Sequence, residues 1–89
     1  MITFRKEQEP DVCTYVDENE NIFMVEVALP NICKDDIKLK VSDHCLLVLA
    51  DGIDVVYSKY IPFIYPVNPT KAKASYEHGL LRIRLPLRA

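Results

Sequence analysis

Apolar and polar residues alternate with a period of two along almost the whole chain, and no window sustains the spacing of a helical face. Val12, Thr14 and Val16 alternate against Cys13 and Tyr15, which predicts a strand over 11–16, and the polar run 17–21 that follows reads as a turn. A second strand is predicted over 22–29, with Phe23, Val25, Val27 and Leu29 on one face. Pro30 stops it and Asn31 helps the chain turn. Residues 32–36 form a connector with room for one 3₁₀ turn. Next comes the clearest alternation, Ile37, Leu39 and Val41 against Lys38, Lys40 and Ser42; Asp43-His44 then closes a hairpin into a strand over 45–50. Asp51-Gly52 marks a further turn before a strand over 55–61. Pro62 and Pro66 make 61–66 an edge segment or an extended connector, and Pro69 fixes another turn. The chain closes with a hairpin of strands over 72–76 and 80–85 around Glu77-His78-Gly79, where Gly79 can take a positive φ without a Cβ clash. Leu81, Ile83 and Leu85 share one face, Arg82 and Arg84 the other, and Pro86 ends the strand.

About seven short strands with polar turns predict an all-β fold, a two-sheet antiparallel sandwich of the immunoglobulin-like kind. One strand carries an apolar surplus: Cys45, Leu47 and Leu49 lie opposite Leu46 and Val48. Such a strand is either covered on both faces or presents an apolar patch to another chain. The segment Phe63-Ile64-Tyr65 is a second apolar candidate, or simply a crossover packed on the sandwich.

Eighty-nine residues suffice for one domain with one modest core. We expect a short N-terminal segment over 1–10 and the domain over 11–87. The first ten residues hold no apolar run of signal-peptide length, and the longest apolar run, residues 45–50, is too short to span a bilayer. A cytoplasmic protein is the expectation. With a formal net charge of −2, the chain is a poor electrostatic match to nucleic acid. The odd count of three cysteines, widely spaced and without a C-x-x-C, fits reduced structural thiols. His44 and Cys45 are adjacent, so on a strand they point to opposite faces and chelate poorly; no metal site is expected. No Gly-rich phosphate loop occurs, and none of Ser42, Ser58 and Ser75 has a Gly-x-Ser-x-Gly setting. The acids Asp35-Asp36 and Glu18/Glu20 read as surface charge. No enzyme, and no cofactor, is expected.

The closing hairpin, Ala74-Ser75-Tyr76-Glu77-His78-Gly79-Leu80-Leu81, resembles the A-x-x-x-N-G-x-L signature of the α-crystallin domain of the small heat-shock (Hsp20) proteins. Three blocks carry the resemblance: Val27-Ala28-Leu29-Pro30 with Lys34-Asp35-Asp36-Ile37; Val41 to Val48; and Val67 to Ala74 running into the hairpin. Asn31 stands where the family usually has Gly, and His78 where it usually has Asn. The link at 51–54 departs further. Many members carry a long loop there, with a strand that swaps into a partner, and four residues cannot supply one at about 3.3–3.6 Å per residue. The resemblance also implies an N-terminal arm and a C-terminal I-x-I/V motif, of which this sequence shows neither; Ile83-Arg84-Leu85 is spelled similarly but falls inside the last predicted strand.

What the resemblance implies is an ATP-independent chaperone of the heat-shock stress response, a holdase for partly unfolded proteins. By position, the family's peptide groove would place Leu39, Val41, Ala74 and Tyr76 near a bound segment, and the apolar surplus adds Leu47 and Leu49 as client-binding candidates. The same sandwich occurs in p23-like and CS-domain adaptors, which bind a specific ATPase or other partner. The expected state is a monomer or small homodimer, paired through an exposed edge such as 55–61, without strand swapping.

Overall fold

The computed structural model of the protein describes residues 5–88. Eight strands form two four-stranded sheets. They are β1 (Lys6–Gln8), β2 (Val12–Asp17), β3 (Ile22–Ala28), β4 (Ile37–Val41), β5 (Cys45–Asp51), β6 (Val55–Pro62), β7 (Lys73–Glu77) and β8 (Leu80–Pro86). One sheet has the order β1-β6-β5-β4, the other β2-β3-β8-β7. Every pairing between strands is antiparallel except β1 with β6. Single 3₁₀ turns at Lys34–Asp36 and Pro69–Lys71 occupy two of the connectors.

The alternation places the core. Val25 and Val27 from β3, Leu46, Val48 and Ala50 from β5, and Leu81, Ile83 and Leu85 from β8 are all buried between the sheets. Leu29, Ile32, Tyr57, Ile61 and Val67 complete the same cluster. Ile83 and Leu85 therefore belong to the interior of β8, and Ile83-Arg84-Leu85 is not a docking tail.

The turns follow from the residues that occupy them. Asn21, Asn31 and His78 all adopt φ between 52° and 58°, with Gly79 at 78°. Asn tolerates this region better than His, which lacks a short side chain able to bond its own backbone. Ser42 closes the β4–β5 hairpin: its Oγ accepts from the backbone N–H of Cys45 at 3.1 Å and lies 3.0 Å from the Cys45 thiol. The β5–β6 link needs only Gly52, Ile53 and Asp54, and the Gly52 N–H donates to the Val55 carbonyl at 2.7 Å. A Cβ on Gly52 would sit 2.9 Å from that same carbonyl oxygen. This tight hairpin leaves no room for an inserted strand.

Strand β1 corrects the expected free edge at 55–61. Lys6, Glu7 and Gln8 pair in parallel with Val55, Val56 and Tyr57, covering the first part of β6. The Lys6 N–H donates to the Asp54 carbonyl at 3.0 Å, and two ion pairs flank the strand: Arg5 with Asp51 at 3.0 Å, and Lys59 with Glu9 at 3.4 Å. Its three side chains are all exposed, so no hydrophobic periodicity announces it. Residues 1–4 of the expected N-terminal segment lie outside the described residues.

Candidate functional site

Strands β4 and β7 end their respective sheets, and among the described residues nothing pairs with their outer edges. They face one another across a depression of about 130 Å³. Ile37 and Leu39 line it from β4; Ala74, Ser75 and Tyr76 line it from β7; Lys34 and Leu81 complete the lining. Period-two geometry explains the composition. Ile37 and Leu39 are the core-facing set of β4, and Tyr76 pairs across the ladder with buried Leu81. Because both strands lie at sheet edges, these inward residues are only partly covered.

The Tyr76 hydroxyl donates to the carbonyl of Leu29, a residue with no exposed surface. The Leu29 N–H in turn donates to the Gly79 carbonyl at 2.8 Å. Tyr76 therefore does two things. Its ring forms part of the groove, and its hydroxyl ties the β7 edge to the end of β3.

Of the expected residues, the structure brings Leu39, Ala74 and Tyr76 together around this groove. Val41 shares the inward face of β4 with Leu39 but lies outside the depression, packed against the core. Leu47 and Leu49 do not join the groove: they pair with Lys40 and Lys38, which places them on the opposite face of their sheet. Here they help line a separate, shallow depression of about 470 Å³ with Lys38, Leu39 and Lys40. Among the described residues, the apolar surplus of β5 borders this depression and has only β4 and β6 side chains beside it. The lysine stems of β4 lie beside the two leucines, as amphipathic side chains do when only their ammonium groups need water. Leu49 remains 39% exposed. On β6, Tyr60 pairs with Leu47 across the same face, and hydrogen bonding to Cys45 holds the Tyr60 phenol above its ordinary pKa.

Lys34, Ile37, Ser75 and Leu81 line the groove without having been singled out in the sequence. Ile37 and Leu81 carried a signal in their alternation; Lys34 and Ser75 carried none, because their place depends on which edges the topology sets side by side.

The segment after β6 divides. Phe63 turns inward to an edge-to-face contact with Phe23, ring centroids 5.4 Å apart, while Ile64 and Tyr65 point outward. Together with Val16 and Leu87 they border a notch of about 180 Å³. On the outer face of the second sheet, ion pairs cross between strands and turns beside Tyr15 and Met24. Arg82 contacts Glu26 at 3.2 Å and Arg84 contacts Glu20 at 2.8 Å. Hydrogen bonding to Tyr15 and the charge of Glu26 hold the Arg82 guanidinium above its ordinary pKa. Asp43, at the β4–β5 turn, is held below its ordinary value by its bond to His44 Nδ1 at 3.0 Å. Cys13, Cys33 and Cys45 are free thiols. Among the described residues no group of His, Cys, Asp and Glu is clustered to hold a metal ion, and no helix is long and apolar enough to cross a membrane.

The architecture is that of an α-crystallin-type β-sandwich, the fold of small heat-shock proteins. It superimposes on heat shock protein 16.0 from Schizosaccharomyces pombe with a TM-score of 0.85, at 17% identity over 92% of this chain and 68% of that one. HSP18.5 from E. histolytica gives 0.80 at 16% identity, covering 90% of this chain and 88% of that chain. A small heat-shock protein from Xylella fastidiosa gives 0.78 at 19%, covering 92% and 88%. No protein-family model and no curated protein matches the sequence. At these identities the likeness establishes the fold, and the expected two-sheet, largely antiparallel sandwich is the one observed.

Proposed function

We propose that this protein is a small heat-shock-type chaperone domain that holds partly unfolded proteins without ATP and without catalysis. The observation that carries the reading is the apolar groove between two unpaired edge strands, on a fold shared with heat-shock proteins. An extended segment entering the groove would pair its backbone with β4 or β7 and place alternate apolar side chains against Leu39, Ala74 and Tyr76. Leu47 and Leu49 would offer a second apolar contact on the far side of the sheet.

The short β5–β6 link supports a chain that exchanges no strand there, and β1 already occupies part of the β6 edge. A monomer or small homodimer is the state that agrees with these features, and the cytoplasm is the compartment that belongs to the same proposal. Light scattering coupled to size-exclusion chromatography tests it, and a particle of twelve or more subunits would refute it.

The functional test is suppression of aggregation. A heat-labile client such as citrate synthase is heated alone and with up to equimolar full-length protein while turbidity is followed. The expected result is a dose-dependent delay, reduced in a Leu39→Asp variant that remains folded by circular dichroism. No delay at equimolar ratio would sink the holdase reading. Capture of a single stoichiometric partner, with no general client binding, would point instead to a p23-like adaptor.

A further inference from the structure

The groove has an apolar lining and a cationic surround. Lys34 borders it, Lys38 and Lys40 stand on the outward face of β4, and Lys73 stands on the outward face of β7 just after Lys71. These are five of the seven lysines of a chain whose net charge is −2. None of the five takes part in an ion pair among the described residues, whereas Arg5, Lys59, Arg82 and Arg84 all do. The nearby acids are Asp35 and Asp36 in the first 3₁₀ turn and Glu77 at the far end of β7.

Strand geometry decides what such lysines would meet. A strand added to the outer edge of β4 continues the sheet, so its side chains alternate between the two faces. Those on the inner face enter the groove beside Ile37 and Leu39. Those on the outer face stand next to Lys38 and Lys40, at the spacing where opposite charges on adjacent strands attract and like charges repel. Resting on the groove reading above, we propose that the preferred occupant is an extended segment of another protein in which apolar residues alternate with Asp or Glu. The apolar set fills the groove and the acidic set neutralises the unpaired lysines of β4. A segment with lysine or arginine at the intervening positions is repelled, so the edge selects among exposed strands.

Three eight-residue peptides test this against the full-length protein by fluorescence anisotropy. Each carries two isoleucines at i and i+2, with the intervening and flanking positions all Glu, all Ser or all Lys. Expected is an order of Glu over Ser over Lys, each step about three- to tenfold, the Glu advantage shrinking as salt rises from about 50 to 300 mM. The double variant Lys38→Glu/Lys40→Glu, at two exposed positions, should reverse the order; its circular dichroism verifies the fold. Equal binding of the three peptides, unaffected by salt, overturns the charge selection while leaving the groove intact. The lysines would then serve only to keep the edge from aggregating. If no peptide binds, the groove reading falls and the selection with it.

Discussion

Tyr76→Phe separates the two roles of the tyrosine at the groove. The substitution keeps the ring and removes the hydroxyl that donates to the Leu29 carbonyl. Leu29 has no exposed surface, and its carbonyl has no other partner among the described hydrogen bonds outside the strand ladders. A buried acceptor left without a donor costs about 1–3 kcal/mol. Tyr76 is only half-buried, so water can reach part of the gap and the lower end applies, about 1–2 kcal/mol. For a domain of this length each kcal/mol is worth about 4–8 °C in Tm, which gives a fall of about 4–16 °C. Urea denaturation followed by far-ultraviolet circular dichroism measures the loss directly, with an unchanged slope if the unfolded state is unaffected. At temperatures well below the new Tm, the Glu-flanked peptide should bind within about twofold of wild type, since the ring remains. Tyr76→Ala, by contrast, also removes that ring and should abolish peptide binding while costing about 3 kcal/mol or more. A Tyr76→Phe protein that melts within about 1 °C of wild type would refute the reasoning, because the β7 edge would then be held by its ladder to β8 alone.

Three further substitutions read other parts of the fold. His78→Gly relieves a left-handed conformation that costs a non-glycine residue about 1 kcal/mol or more, but adds freedom to the unfolded chain; a net gain of about 0.5 kcal/mol should raise the calorimetric Tm by about 2–4 °C. Gly52→Ala pushes a methyl to 2.9 Å from the Val55 carbonyl oxygen and 3.0 Å from Ile32 Cδ1, and should lower the urea midpoint by the equivalent of about 1–3 kcal/mol. The depressed Asp43 carboxyl predicts a stabilising contribution that is present above the unfolded-state pKa and disappears as pH falls through the folded-state value. His44→Ala should bring the Asp43 midpoint, followed by carbon-detected magnetic resonance, back up toward that of an unperturbed aspartate.

Alternation made most of the fold legible, and particular residues explain where it stopped. Ile37, Leu39 and Val41 announced both the position and the buried side of β4, and the β8 pattern of Leu81, Ile83 and Leu85 did the same. Strand β1 was invisible because Lys6, Glu7 and Gln8 bury nothing; it is held by backbone pairing and by charge contacts with residues about 46 to 50 positions away. Leu47 and Leu49 were recognisable as an apolar surplus on the face opposite Leu46 and Val48, but their distance from the groove that Leu39, Ala74 and Tyr76 line was not. Their neighbours are set by the β4–β5 register, which pairs them with Lys40 and Lys38, and a strand read alone does not carry its register. Tyr76 was legible as a groove residue, yet its bond to Leu29 joins positions 47 apart and depends on the closing hairpin returning beside the end of β3.

The treatment of the sheet edges connects these details to binding. Two sheets present four edges, and an uncovered edge invites pairing with any exposed strand. The β6 edge is partly closed by a short parallel strand of the same chain. Strand β2 ends the other sheet, and among the described residues nothing pairs with its outer edge. Strands β4 and β7 are likewise unpaired at their outer edges among the described residues, and they face the same apolar depression. Lysines on their outward faces do not block the backbone hydrogen-bonding groups, which lie in the plane of the sheet; they raise the cost only for strands whose own charges fail to compensate. An edge protected by charge alone can therefore stay soluble and still accept a ligand. An edge covered by another strand, as β6 is by β1, cannot, and that contrast supports the proposal that the β4–β7 groove is the binding site.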